Sequence, residues 1–238
     1  MRTRLASLLL LGLVACSDDV QGQDGDVDAP TDAPVDAVDA MGCGADFFLT
    51  GEYVDWDSTT TNFDGIEFVR WTVRGEPTRT VTTNPNGRVE LCLNPGVTSI
   101  ISITQSIPQP DYLPGVYVAE PTVFQPPGLF FFATKGIRAA RAQTFYNSLG
   151  LTYDETRAHV LVQKQGPAIA LNLNLGGTSF AVDNSDDLTW TAGNTGGLVL
   201  FANIEITATQ ATLSSPTAFV GPAMLPTEAG TLTITTIR

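Results

Sequence analysis

Thr80-Val81-Thr82-Thr83-Asn84-Pro85-Asn86-Gly87-Arg88-Val89-Glu90-Leu91-Cys92-Leu93 sets two runs of β-favouring residues around a Pro-Asn-Gly turn. Asn86-Gly87 is a strong hairpin signal, because both positions tolerate positive φ. Beyond the turn, Val89, Leu91 and Leu93 alternate with Arg88, Glu90 and Cys92, the period of a strand buried on one face.

The chain from Phe47 onward is rich in Thr, Val, Ile and aromatics, broken every eight to twelve residues or so by Gly, Pro, Asn and Asp. The spacing predicts strands at Phe47–Val54, Glu67–Arg74, Thr78–Thr83, Gly87–Leu93 and Thr98–Thr104. After a proline-rich crossing it predicts Ala158–Lys164, Ala168–Leu175, Thr178–Asp183, Leu188–Thr191, Gly197–Ile204, Glu205–Leu213 and Gly230–Ile237. So many strands exceed one seven-stranded sandwich, and the expected fold is mainly β, with two small sandwiches in tandem at residues 43–125 and 157–238. A weak repeat agrees, since Thr80, Thr82, Gly87, Leu91 and Asn94 match Thr189, Thr191, Gly196, Leu200 and Asn203 at a shift of 109 residues. Between the halves, at residues 126–156, the pattern predicts a junction helix over Lys135–Leu149. Thr134 is its N-cap, Ile137, Ala140, Phe145 and Leu149 its apolar face, and Gly150 its stop. Phe130, Phe131 and Phe132 are expected in the core.

The stretch from Thr83 to Gly96 resembles the signature of carboxypeptidase regulatory-like, or transthyretin-like, domains: a threonine, a tight turn ending in glycine, an alternating strand and a Pro-Gly turn. Gly51-Glu52-Tyr53-Val54-Asp55 resembles their opening strand. The longer Val69-Arg70-Trp71-Thr72-Val73-Arg74 departs from the family's small-residue approach to the second strand. The resemblance implies an accessory or binding module on an exported protein and brings no active-site residues.

The N-terminus is an address. Arg2 and Arg4, an apolar run from Leu5 to Val14 and a small-residue zone ending at Cys16 make residues 1–15 a signal peptide. The apolar run is about ten residues where a membrane span needs roughly 20. Leu13-Val14-Ala15-Cys16 resembles the lipobox of bacterial lipoproteins, which implies a lipidated Cys16 and a membrane held through that lipid anchor. Ser17, in place of an aspartate retention signal, favours an outer-membrane lipoprotein of the cell envelope, with periplasmic and surface exposure both open. Residues 16–42 then form a disordered acidic tether, in which Asp28-Ala29-Pro30, Asp32-Ala33-Pro34, Asp36-Ala37 and Asp39-Ala40 nearly repeat without a Lys or Arg. Like-charge repulsion and proline keep such a chain extended.

The full chain carries 25 acids and 12 bases, a formal charge of −13. An acidic domain argues against nucleic acid as a partner and against direct binding of anionic lipid headgroups. With Cys16 lipidated, Cys43 and Cys92 remain, in a compartment where disulfides persist, and are expected to be bonded. Cys-x-x-Cys spacing is absent.

Chemistry is sparse in the sequence. His159 is the single histidine and lies in a strand pattern. Gly-x-Ser-x-Gly, His-Glu-x-x-His and phosphate-binding glycine loops do not occur, so the expectation is a non-enzymatic protein without a resident cofactor. Asp183, Asp186 and Asp187 share a turn that could hold Ca²⁺, although Asp and Asn favour turns on their own account. Tyr53, Trp56 and Tyr112 could form an aromatic face for sugars if exposed. The leading expectation is a binding or scaffolding module for another protein. The alternative is a carbohydrate or cell-wall binding module, and either makes a protein or an envelope polymer the partner.

Overall fold

Strands that are apolar at every position, rather than at every second one, organise the molecule. Gly115-Val116-Tyr117-Val118-Ala119, Val160-Leu161-Val162 and Leu198-Val199-Leu200-Phe201-Ala202 are such runs, and all of these residues are buried. A run of this kind can satisfy both faces only in the middle of a sheet covered on both sides.

The computed structural model describes residues 43, 46–105, 111–124, 131–184 and 188–238. The expected signal peptide, Cys16 and the whole of the tether lie outside the described residues. In chain order the described strands are β1 (Phe47–Asp55), β2 (Val69–Val73), β3 (Thr80–Thr82), β4 (Arg88–Leu93), β5 (Ser99–Gln105), β6 (Gly115–Ala119), β7 (Phe131–Gly136) and β8 (Ala158–Lys164). They continue with β9 (Ile169–Ala170), β10 (Asn172–Leu173), β11 (Thr178–Val182), β12 (Thr191–Ala192), β13 (Thr195–Gly196), β14 (Leu198–Ile204), β15 (Gln210–Ser214), β16 (Met224–Pro226) and β17 (Leu232–Ile237). Helix α1 (Ala139–Ser148) falls between β7 and β8.

Nine strands form one sheet in the order β12-β11-β14-β8-β17-β6-β5-β2-β3. β17 lies at its middle, parallel to β8 on one side and to β6 on the other. Smaller sheets, β4-β1-β7 and β10-β15-β16, supply further layers. Leu161, Leu200, Tyr117 and Ile234 join one hydrophobic cluster with Trp71, Tyr53, Leu91 and Phe132. The alternate residues Val160, Val162, Val199, Phe201, Val116 and Val118 join a second with Leu171, Leu213 and Leu225. Each such side chain contributes roughly 1.5–3 kcal/mol when fully buried. The threonines of β17 are buried too, and their hydroxyls are satisfied: Thr233 donates to the Pro226 carbonyl, Thr235 to that of Val118, and Thr236 shares a bond with Tyr117.

The mainly β class therefore holds, but the halves do not close separately. Strands from residues 43–125 and 157–238 share one sheet and contribute to both hydrophobic clusters, because β6 and β8 both pair with β17. The shifted repeat is likewise no structural duplication: Leu91 lies in β4 of the three-stranded sheet and Leu200 in β14 of the large one. The turn at Asn84–Gly87 forms, with Gly87 at φ +71° and the Asn84 side chain accepting from the backbone N–H groups of Asn86 and Arg88. It is not a hairpin, however. It carries the chain from β3 in one sheet to β4 in another, and a Cβ on Gly87 would meet the Tyr53 carbonyl oxygen at 2.2 Å.

The helix is shorter than its sequence pattern and begins later. Thr134 and Lys135 belong to β7, which pairs parallel with β1, so tertiary pairing overrides the helical signal there. Arg138 occupies the N-cap position without a side-chain cap, and Ala142 and Tyr146, not Ala140, are its buried residues. The stop is as expected. Gly150 at φ +74° donates to the Asn147 carbonyl and Leu151 to that of Tyr146, a Schellman closure. Phe132 is buried in the core, whereas Phe130 lies outside the described residues.

Cys43 and Cys92 are bonded, with Cα atoms 5.5 Å apart across a sequence separation of 49. The bridge pins the start of the domain to β4.

Candidate functional site

Asp55 ends β1 with its carboxylate buried, and a charge so placed must be paired. It accepts from the Tyr112 hydroxyl at 2.8 Å, from Arg138 Nε at 2.9 Å and from the Asp57 backbone N–H at 3.1 Å. Arg138 also reaches Asp111 at 2.6 Å and lies 5.0 Å over the Tyr112 ring. Burial, followed by the bond to Asp55, pushes the Tyr112 hydroxyl well above its ordinary pKa. Nearby, the buried Lys135 ammonium donates to the carbonyls of Trp56 and Ser58 at 2.9 and 2.8 Å. Two cations thus fasten the loop that follows β1, and with it the ring of Trp56.

Trp56 is the floor of an aromatic stack. Its ring lies 5.4 Å from that of Trp190 at 17°, and 4.8 Å from Phe145, which meets Trp190 edge-on at 6.0 Å. Trp56 is buried, while Phe145 and Trp190 are partly exposed. Helix α1 supplies one wall: Arg141, Thr144, Phe145 and Ser148 recur at helical spacing and share one edge. Arg141 forms an ion pair with Asp57. Asn62 and Leu188, the latter 44% exposed, complete a groove of about 680 Å³.

A second depression, of about 720 Å³, is lined by polar residues including Asp154, Glu155, Arg157 and Asn203, with Tyr153. Behind it sits His159, 1% exposed. Its Nδ1 accepts from the Asn203 backbone N–H at 3.3 Å and lies 2.6 Å from the Tyr146 hydroxyl, so the proton sits on Nε2. Tyr153 stacks on the ring at 5.1 Å and Tyr146 meets it edge-on at 5.2 Å. Desolvation lowers the imidazole pKa to about 4; the nearby Asp154 carbonyl and carboxylate offset part of this, though no bond to Nε2 forms. Burial pushes the Tyr146 hydroxyl the other way. The pair is therefore uncharged at neutral pH and poorly suited to exchanging a proton there.

The residues singled out from sequence fare unevenly. Tyr53, Trp56 and Tyr112 are all buried, at 1, 3 and 9% exposure, so they present no aromatic face. Tyr53 packs edge-on against Trp71 at 5.7 Å, and Tyr112 spends its hydroxyl on Asp55. Of the calcium candidates, Asp183 follows β11 while Asp186 and Asp187 lie outside the described residues. Among the described residues, acidic, histidine and cysteine side chains do not gather into a metal-binding group. Sequence reasoning missed Trp190 and placed Phe145 only on the apolar face of the helix. The signal of Trp190 was its residue type alone, because 134 positions separate it from Trp56 along the chain.

No family model matches the chain, and no curated protein matches it. Among solved structures, it is similar to the Bacillus anthracis TIE protein at 10% identity and a TM-score of 0.27, over 80% of this chain and 34% of that one, so it spans about a third of that protein's length. It is also similar to the shaft pilin SpaA of Lactobacillus rhamnosus GG, at 10% identity, a TM-score of 0.26 and coverage of 80% and 96%. A putative adhesin from Bacteroides ovatus is similar at 10% identity and a TM-score of 0.27, covering 76% of this chain and 73% of that one.

Proposed function

We propose that the protein is a lipid-anchored, non-catalytic binding module of the bacterial cell envelope, which contacts a protein or an envelope polymer through its folded domain. The observation that carries this reading is the groove between α1 and Trp190. Its rings rest on a loop fastened by Lys135 and Arg138, so the contact surface is ordered before any partner arrives, which lowers the entropic cost of binding. Ser17 and the resemblance of Leu13–Cys16 to a lipobox support anchoring at the outer membrane, and two or more acyl chains hold a protein there durably. The acidic tether supports a domain standing off that surface.

The test is metabolic labelling of cells with an acyl-chain probe, combined with protease treatment of intact cells. Wild-type protein is expected to carry the label and Cys16→Ala to lose it. Protease sensitivity in intact cells assigns the domain to the outer face, and protection assigns it to the periplasm. Absence of label on the wild type refutes the anchor.

A further inference from the structure

The aromatic surface of this domain is not where the hairpins alone would put it, and its composition narrows what it can hold. The stack grades from the buried Trp56 to the partly exposed Trp190, with the 44% exposed Leu188 beside it. An indole in that position offers an apolar face to the aqueous side of the groove, where it can cover an equally flat, weakly polar surface.

The surroundings are polar, and they are neutral as a set. Arg141 is ion-paired with Asp57, so the cation in the wall arrives already compensated. Thr144 and Asn62 are exposed and supply a hydroxyl and an amide, groups that both donate and accept. The volume, about 680 Å³, falls within the roughly 300–1,000 Å³ of small-ligand sites, but the groove lies open along the surface. An apolar ligand needs to be wrapped on most sides, and an anion would have to displace Asp57 from Arg141 on a chain of charge −13.

A pyranose ring meets these conditions. One of its faces is a patch of axial C–H groups that stacks on indole, and its edge is a row of hydroxyls matched by amide, hydroxyl, carboxylate and guanidinium groups. We infer that the groove formed by Trp190, Phe145, Asn62, Thr144 and the Asp57–Arg141 pair binds a neutral saccharide chain, with Trp190 as the stacking platform. This rests on the binding-module reading above and names its ligand class. Trp190 stacks on the sugar face, Asn62 and Thr144 take hydroxyls at its edge, and Trp56 holds the platform in place without touching the ligand.

The experiment uses the full-length lipidated chain in a detergent without a sugar headgroup. It is titrated with cellohexaose, laminarihexaose and chitopentaose while tryptophan fluorescence and heat of binding are followed. At least one of the three is expected to bind with a blue-shifted, enhanced emission. Trp190→Ala is expected to weaken binding about tenfold, which corresponds to about 1.4 kcal/mol. Because Trp190 also packs on Phe145, Asn62→Ala provides a second variant at an exposed side chain; it is expected to weaken binding several-fold with the thermal midpoint unchanged. Failure of all three saccharides, or equal binding by wild type and both variants, overturns the inference. Binding of unstructured peptides from a random library that is lost in Trp190→Ala, with no saccharide bound, also overturns it, while leaving the envelope binding module intact. Loss of the acyl label, by contrast, bears on the anchor and not on the sugar.

Discussion

Acidification should weaken this fold through one residue. His159 is 1% exposed, between Tyr153 and Tyr146, and its imidazole pKa is lowered from 6.5 to about 4 by desolvation. The sign follows from proton counting: between these two values the unfolded chain binds a proton that the folded chain refuses. The stabilisation is complete above pH 6.5 and is lost as the pH falls toward 4. With these pKa values the loss is about 2 kcal/mol at pH 5 and about 3 kcal/mol at pH 4, a large share of the 5–15 kcal/mol typical of a domain. Urea unfolding followed by tryptophan fluorescence at half-unit steps from pH 7 to 4 measures it. Carboxylates titrate in the same window, so the informative quantity is the difference between wild type and His159→Gln, which keeps an acceptor for the Tyr146 hydroxyl but cannot be protonated. The variant's curve should be flatter than the wild type's by that same 2–3 kcal/mol. Parallel curves would refute a buried neutral His159.

Three further outcomes are expected. Replacing both Cys43 and Cys92 by Ser opens a loop with a sequence separation of 49 and should cost roughly 4 kcal/mol, seen as a lower urea midpoint that reductant no longer shifts. An unchanged midpoint would mean that the bridge constrains nothing. Gly136→Ala places a Cβ 2.4 Å from Tyr53 Oη and 2.8 Å from Ile66 Cδ1, so overpacking should cost about 1–3 kcal/mol in thermal unfolding; a variant as stable as wild type would show that this wall can yield. Asp55→Asn removes the charge addressed by Tyr112 and Arg138. Since the Arg138 side chain is 41% exposed and the Asn oxygen still accepts from the Asp57 backbone, most of an expected loss of about 2 kcal/mol comes from the bond to Tyr112, and an equal loss in a Tyr112→Phe background would refute that assignment.

Much of the strand pattern was legible in the sequence, because alternation and turn residues are local properties. β1, β2, β4, β5, β8, β11, β14 and β17 all fall where the sequence places strands. What escaped were elements whose identity depends on a partner. β6 is flanked by prolines and reads as a crossing, yet it lies next to the central strand; β7 carries helix-compatible residues that pair with β1 instead. The partition into two sandwiches failed for the same reason, since no local signal says that β17 joins strands from both halves. The candidate site was the least legible. Trp56 was singled out for exposure and proved to be the buried floor, and the exposed ring came from Trp190, brought over by the fold.

The position of β17 also constrains how the protein can be made. Residues 232–237 sit between β6 and β8, one from each half of the large sheet, and are what joins them. Until they are threaded in, the sheet is split into two parts with open edges and the shared core lacks its centre. The sheet therefore closes only when residues 232–237 pair, across a separation from β6 of more than a hundred residues, and such closure is slow. On the export route proposed above, a central strand that pairs late keeps the chain loose enough to cross a membrane unfolded.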